Sequence, residues 1–338
     1  MTTTNNDLYS ASEALKRHDS WVIFTHKKSD GDAMGSASSL FEAGVNLGKK
    51  IRWVSPDVIL PQGYRYLAHF DDFETFESFD FVDDGTLYVF LDCATEVRSV
   101  SGFSDSNSND VEILNIDHHE DNSLYGTVNC VDGCASSTCE MLYRVFTAGN
   151  WKITQRIAES LYTGIFTDTG GFTFSNTSTE THEIAGKLIE LGVKPDIMAD
   201  RISQNKSLAD LLVYSRALSR VKVFGPENIF VVSMIYSSDF AETGADTTGT
   251  EGLSQMFMSL RGVKFAAIAT EYPDGNVRLS IRSRSGSPFG AGEFARQFGG
   301  GGHERAAGTS FNYPAGEVLR ELEAAILKKY HECLSTHQ

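Results

Sequence analysis

The stretch SWVIFTHKKSDGDAMGS, residues 20–36, sets the pattern that the rest of the chain repeats. Trp21 to Thr25 is an apolar run of strand length, Asp30-Gly31-Asp32 is turn chemistry, and Ala33 to Leu47 carries apolar residues at helical spacing with Gly48 behind it. The unit reads strand, loop, helix, with Asp32 standing where a helix cap belongs. The same loop holds three side chains of metal-ligand type, His26, Asp30 and Asp32.

Working outward, Ile51–Val54, Thr86–Leu91 and Val111–Ile116 are further buried-strand candidates. Their alternation with helical segments predicts an α/β fold with a largely parallel sheet flanked by helices. A helical stretch follows, over Ser137–Thr147, Ile153–Thr167 and Glu180–Leu191. Pro195 to Val221 shows no strand signal and reads as a helical connector. A second unit starts near Asn228, with strands over Ile229–Tyr236, Val263–Tyr272 and Val277–Ser283, helices over Gly252–Arg261 and Gly292–Phe298, and a hairpin turn at Asp274-Gly275. The expected organisation is a metal-binding catalytic domain over 1–194, a helical linker over 195–225, and a smaller α/β substrate-binding domain over 226–338.

At 338 residues the chain has ample length for two cores. It contains no uninterrupted apolar run of membrane-spanning length, and its start, Met-Thr-Thr-Thr-Asn-Asn-Asp, lacks the basic and apolar regions of a signal peptide. The cysteines at 93, 130, 134, 139 and 333 are odd in number and form no CxxC pair, so they fit a reducing, cytoplasmic setting and no usual zinc pattern. A net charge of −16 opposes capture of a long polyanion. An anionic substrate would be small and would need a locally basic pocket.

Ligands collect beyond the carboxyl ends of the strands in open parallel sheets. His26 follows the first strand, Asp92 follows Leu87–Leu91, and Asp117-His118-His119 follow Ile113–Ile116. Asp168 ends the helix at Ser160–Thr167, before Gly170-Gly171. Singly, each residue has an ordinary use as a turn, a cap or an exposed polar group. Jointly they offer carboxylate oxygens and imidazole nitrogens, which suit Mn2+, Mg2+ or Fe2+ better than a thiolate-seeking metal. Four carboxylates balance two divalent ions, so a two-metal hydrolase with an activated water is the expected chemistry. His18, His69, His182, His331 and His337 match no such pattern and read as surface or internally satisfied histidines.

HKKSDGDA around Asp30, LDCA around Asp92, DHH at 117–119, FTDTGGF around Asp168 and GGGGHERAAG at 299–308 together resemble the DHH/DHHA1 phosphoesterases, a group that includes RecJ-like exonucleases. The resemblance covers roughly residues 15–325. It implies one metal held by His26, Asp30 and Asp92, and a second held by Asp32, Asp92, His118 and Asp168, with Asp92 bridging. It further implies that His119 faces the scissile phosphate as a catalytic group and that Asp117 orients an imidazole from behind the ligands. Ser29 departs from the family pattern, which more often has Pro there; the change bears on the stiffness of the loop rather than removing a ligand, and leaves the metal site intact.

In VRLSIRSR, residues 277–284, Leu279, Ile281 and Ser283 alternate with Arg278, Ser280, Arg282 and Arg284. Three guanidiniums on one strand face are a candidate anion site, and Arg282 with Ser283 falls in the family's SxRS pattern. Gly300, Gly301 and Gly302 allow close backbone approach to a phosphate or base. By resemblance, His303 behind them reads a terminal phosphate or nucleotide. The resemblance implies hydrolysis of short 5'-phosphorylated oligoribonucleotides, pApA or the 3'-phosphate of pAp, and admits a homodimer. A cyclic di-AMP phosphodiesterase and a non-catalytic nucleotide or metal sensor are the competing readings; a membrane or a long nucleic acid is not an expected partner.

Overall fold

The computed structural model describes residues 5, 7–79, 85–100, 103, 111–203, 206–250, 252–302, 304–312 and 314–336. They fall into two compact units, Met1–Asn205 and Lys206–Gln338. The first contains a six-stranded sheet of β1 (Ser20–Phe24), β2 (Lys50–Ser55), β3 (Phe73–Thr75), β4 (Thr86–Leu91), β5 (Glu112–Asp117) and β6 (Val128–Val131), in the order β3-β2-β1-β4-β5-β6. Every pairing is parallel. The chain runs outward from β1 to β3, then restarts at β4 on the other side of β1. The order therefore reverses between β1 and β4, and a crevice opens there beyond the strand ends.

Both faces of this sheet are covered, so its central strands are apolar throughout rather than alternating with polar residues. Trp21, Ile23, Leu87, Val89, Leu91, Leu114 and Ile116 pack on one side in a core shared with the helices α1 (Leu8–Arg17), α2 (Gly31–Asn46), α3 (Thr138–Ala148), α4 (Gln155–Asp168) and α5 (Thr179–Glu190). Val22, Phe24, Val54, Tyr88 and Phe90 face the other way, into a layer with Phe79 and Phe103 in which the Phe24 and Phe90 rings stack at 4.9 Å. The aromatic side fills with few elements. The helical side is where the site's elements converge.

The α2–α4 contact is built from small residues. A Cβ at Gly31 would collide with the Thr167 side chain, one at Gly35 would lie 2.5 Å from the Ser160 carbonyl, and the Ser38 and Ser160 hydroxyls meet at 2.9 Å. These absent side chains let the start of α2 lie against the end of α4. Asp32 and Asp168 sit at those two ends.

After α6 (Pro195–Ser203), the second unit begins with α7 (Leu208–Ser219) and contains the sheet β11-β12-β10-β9-β8-β7. Its strands are β7 (Lys222–Phe224), β8 (Phe230–Ile235), β9 (Phe265–Glu271), β10 (Val277–Ser283), β11 (Gly301–Gly302) and β12 (Ala306–Phe311). Only β8 and β9 run parallel, joined through α8 (Ser237–Thr243) and α9 (Leu253–Met258). The other neighbours are antiparallel. α10 (Ala291–Arg296) and α11 (Ala315–Thr336) cover one face, with Phe294, Val318, Leu322 and Ile326 in its core. α7, α8 and α9 cover the other.

The expected elements form with boundaries shifted by a few residues, and several others escape a reading from periodicity. β3, β7 and β11 are too short to show a period, and β6 and β12 are interrupted by Asn129 and by Gly308, Thr309 and Ser310. α11 was legible in principle, since Val318, Leu322 and Ile326 recur at helical spacing.

Gly164 makes the tightest demand on this packing, because a Cβ there would strike Cys139 Sγ and lie 2.5 Å from Asp32 Oδ1. Gly164→Ala is expected to cost about 1–3 kcal/mol by overpacking. Urea denaturation checks this; unchanged stability would show that α2 and α4 can separate freely.

Candidate metal centre

The loop after β1 is fixed before any ligand reaches it. The Lys27 N–H donates to the Arg98 carbonyl at 2.9 Å, and the Ser29 N–H donates to Asp57 Oδ2 at 3.0 Å. The buried Ser29 hydroxyl donates to the His26 carbonyl at 2.9 Å and lies 3.2 Å from Thr25 Oγ1. The loop is thus pinned through a serine whose hydrogen bonds stand in for a proline ring.

Asp30, rather than Asp32, caps α2, its Oδ1 accepting from the Asp32 and Ala33 N–H groups at 3.1 Å each. Asp32 lies in the first turn of α2, fully buried, and is held from outside its own helix. Its carboxylate accepts from the N–H groups of Thr138 at 2.6 Å and Cys139 at 3.0 Å, the first amides of α3. Such exposed amides favour negative charge at a helix start.

Asp92 follows β4 with φ +60°, a left-handed conformation uncommon outside glycine but more accessible to Asp than to most residues. Its N–H donates to the Ile116 carbonyl at 3.1 Å, and its Oδ1 accepts from the Thr138 hydroxyl at 3.1 Å. The turn aims the carboxylate into the crevice between β1 and β4.

The expected ligands converge there. His26 Nε2 lies 3.3 Å from Asp92 Oδ2 and 3.8 Å from Asp30 Oδ1. His118 Nε2 lies 3.6 Å from Asp92 Oδ1, 3.5 Å from Asp168 Oδ2 and 3.9 Å from Asp32 Oδ2. His26, Asp30 and Asp92 form one compact ligand group, Asp32, His118 and Asp168 form another, and Asp92, His118 and His119 form a third between them. Most of these separations are too long for hydrogen bonds yet suit donors gathered around an ion. Among the described residues no Lys or Arg pairs with Asp32, Asp92 or Asp168. Buried carboxylates without such partners are stable when they coordinate cations.

The electrostatics express the same surplus of negative charge. Burial, with Asp92 and Asp168 nearby, holds the Asp32 carboxyl well above the usual carboxylate range. Burial, with Asp30 and Asp92, does the same to Asp168. Burial works against the His26 cation, but its contacts with Asp30 and Asp92 win and hold its pKa well above an ordinary imidazole's. Asp92 is pulled the other way: burial opposes its charge, and His26, His119 and His118 outweigh that.

Behind the ligands, Asp117 Oδ1 accepts from the His118 N–H and from His119 Nδ1, both at 2.8 Å. The His119 ring is thereby oriented with Nε2 3.3 Å from Arg98 Nη1. Burial disfavours the His119 cation, but Asp117 and Asp92 raise its pKa to about 9. Thr138 and Arg98 were absent from the sequence reading. Thr138 could have been suspected from the Ser137-Thr138 pair opening a helix, whereas Arg98 carries no signal beyond standing six residues after Asp92.

The second unit carries its own candidates. β10 alternates as expected, with Val277, Leu279, Ile281 and Ser283 buried and the residues between them partly exposed. Arg278 stacks on Tyr272 at 4.1 Å. Arg282 donates to the Ile281 carbonyl at 2.9 Å and has no carboxylate partner among the described residues. Ser283 is internally committed, its hydroxyl donating to the Glu304 carbonyl and accepting from the Ala291 N–H. Gly300 and Gly302 pack against β12, where a Cβ at Gly302 would lie 2.6 Å from the Ala306 carbonyl, while Gly301 faces open space. His303 lies outside the described residues. Ser283, Arg284, Ser287, Gly290 and Arg305 help to line a recess of about 270 Å³. Of the other histidines, His18 meets Glu112, His69 meets Glu42 and Asp72, and His182 stacks on Phe172.

Comparison with known proteins gives the chain a family and a fold. Residues 20–165 match the family model described as DHH family, N-terminal domain, and residues 227–336 match the DHHA1 domain. The bifunctional oligoribonuclease and PAP phosphatase NrnA of Thermus thermophilus is 30% identical over 293 residues, spanning 85% of this chain and 83% of that protein. Its namesake in Bacillus subtilis is 28% identical over 335 residues, 94% and 97% of the two chains. The crystal structure of an exopolyphosphatase-related protein from Bacteroides fragilis superposes with a TM-score of 0.88 at 22% identity, covering 96% and 97%. The Mn2+ complex of RecJ from Thermus thermophilus gives 0.55 at 12%, covering 96% of this chain and 55% of that one.

Two outcomes follow from the centre's chemistry. The folded, metal-free protein holds protons on Asp32, Asp168, His26 and His119 more tightly than the unfolded chain does. Its stability therefore falls as pH rises, whereas the lowered Asp92 contributes its change only at more acidic pH. Bound cations displace these protons, so the rise in Tm from EDTA to Mn2+ is expected to be larger at pH 8 than at pH 6; a pH-independent rise would contradict this charge distribution. Ser29→Pro removes the amide donor to Asp57 and both hydroxyl contacts. It is expected to cost about 1–3 kcal/mol and to weaken Mn2+ affinity, where equal affinity would show that the loop does not depend on those bonds.

Proposed function

The chain belongs to the DHH family, and on that premise we propose that it is a metal-dependent phosphoesterase acting on small nucleotides, chiefly short 5'-phosphorylated oligoribonucleotides and, secondarily, the 3'-phosphate of pAp. The observation that carries this reading is the pair of ligand groups, His26/Asp30/Asp92 and Asp32/His118/Asp168, with the two oxygens of Asp92 directed to the two sides. His26, Asp30 and Asp92 would hold one divalent cation; Asp32, Asp92, His118 and Asp168 would hold the other. The donors, carboxylates and imidazoles without a thiolate, fit Mn2+ first and Mg2+ or Fe2+ as substitutes. When bound, such ions neutralise phosphate charge and make a water nucleophilic at neutral pH.

The protein's own groups divide the remaining work. His119, held through Nδ1 by Asp117, is the group placed to protonate the leaving oxygen once Arg98, which donates to its Nε2 in the structure, turns to the phosphate. The exposed Arg98 guanidinium beside Nε2 can meet the non-bridging phosphate oxygens there. In the second unit, Arg282 is a partly buried guanidinium without a carboxylate partner among the described residues, and Arg284 and Arg305 line, together with Glu304, a recess with room for an anionic group. Strong negative charge elsewhere on the chain favours short substrates. The T. thermophilus and B. subtilis relatives carry oligoribonuclease and PAP phosphatase activities in their names, which supports the same choice.

Purified protein with Mn2+, assayed in parallel on a short 5'-phosphorylated RNA, pAp, pApA, cyclic di-AMP and polyphosphate, tests the reading. Short RNA or pApA is expected to give the highest kcat/KM. A preference for polyphosphate or cyclic di-AMP would reassign the substrate, and metal-stimulated binding without turnover would favour a sensor. Asp92→Ala is expected to abolish hydrolysis while circular dichroism stays native; undiminished turnover would remove Asp92 from the centre.

A further inference from the structure

Beneath the His119 turn lies a polar knot of side-chain amides, a carboxylate and a phenol. The Asn122 side-chain amide reaches Asp117 Oδ2 at 2.6 Å, Asn115 Oδ1 at 2.8 Å and the Cys93 carbonyl at 3.4 Å. Its own oxygen accepts from the Leu124 N–H at 2.7 Å, in a turn where Leu124 takes φ +53°. Asn115, fully buried in β5, donates to the Cys93 carbonyl at 3.2 Å and to the Tyr125 hydroxyl at 3.2 Å, and that hydroxyl donates to the same carbonyl at 3.1 Å.

The Cys93 carbonyl therefore receives donors from Asn115, Asn122 and Tyr125, and Cys93 directly follows Asp92. Asp117, at the other end of the knot, is fully buried and orients His119 through Oδ1. Asn122 is the side chain common to both ends. Without it, Asp117 Oδ2 would lose its hydrogen bond in a buried setting, and the carboxylate could swing away from the ring it holds.

We propose that Asn122 is a positioning residue for His119: it locks Asp117 in place so that His119 Nε2 meets the leaving oxygen of the phosphoester. This rests on the reading of His119 given above. In the step, the attacking water's oxygen bonds to phosphorus as the P–O bond to the leaving group breaks. The Nε2 proton passes to the leaving oxygen, and the proton released by the water restores the ring.

The test uses the Mn2+-loaded full chain and two substrates of different leaving group. In pApA the departing ribose oxygen needs a proton, whereas in thymidine 5'-(p-nitrophenyl phosphate) the departing phenolate does not. Asn122→Ala is expected to lower kcat on pApA by about 10- to 100-fold, with KM and Mn2+ affinity little changed and the aryl ester little affected. Asn122→Asp keeps the shape and the Leu124 contact but sets an acceptor against Asp117, and it is expected to do the same. In a His119→Ala background, Asn122→Ala should cost nothing further on pApA. Equal losses on both substrates, additive losses in the double variant, or undiminished pApA turnover would overturn the assignment. If His119→Ala slows pApA hydrolysis and Asn122→Ala does not, only the role of Asn122 falls. If His119→Ala has no effect, the reading of His119 falls and takes this inference with it.

Discussion

Asp92 is the constraint around which the first unit is arranged. A buried carboxylate held in a left-handed turn is unfavourable twice over, through lost solvation and through backbone strain. It is tolerable because the strand order reverses between β1 and β4, leaving a crevice in which ligands of either side reach its two oxygens. Opposite partners at separations of 3.3 to 3.6 Å leave room that a protein with only structural aims would have closed with a lysine or arginine.

The layer behind the ligands exists to keep that crevice from collapsing or spreading. Asp32 is tied to the first amides of α3, so two helix starts meet at one carboxylate. Thr138 joins the same helix to Asp92. The glycine and serine contacts between α2 and α4 bring Asp168 to the same depth, and larger residues there would push one ligand out of reach of the others. Small residues at a helix crossing are thus as much a part of the centre as the groups that would bind the metal.

The second unit shows a different economy. Its β10 strand buries one face and leaves guanidiniums on the other, and each has its own fate: Arg278 is spent on Tyr272, while Arg282 meets no carboxylate among the described residues. Of the glycine run, Gly300 and Gly302 are explained by close packing on β12 and Gly301 is open. A motif read as one functional block is in fact partly scaffold.

Much of the fold, and most of the side chains that gather in the crevice, were legible in the sequence, because strand length, helical spacing and the position of His26, Asp92 and Asp117-His118-His119 at strand ends are local properties. The glycine at Gly31 and the Asp-Gly-Asp turn announced a helix start, though not that Asp30 would be its cap. What the chain could not disclose locally were relations between distant segments: Thr138 and Cys139 holding Asp32, Arg98 beside His119, Ser29 bonded to Asp57, Asn122 linking Asp117 to the turn at Cys93. These contacts join residues whose types are common and whose spacing carries no period. The sequence by itself determined which chemical groups are delivered to the strand ends; only the tertiary structure decided which of them face one another, since hydrogen-bond partners are chosen by how the layers pack.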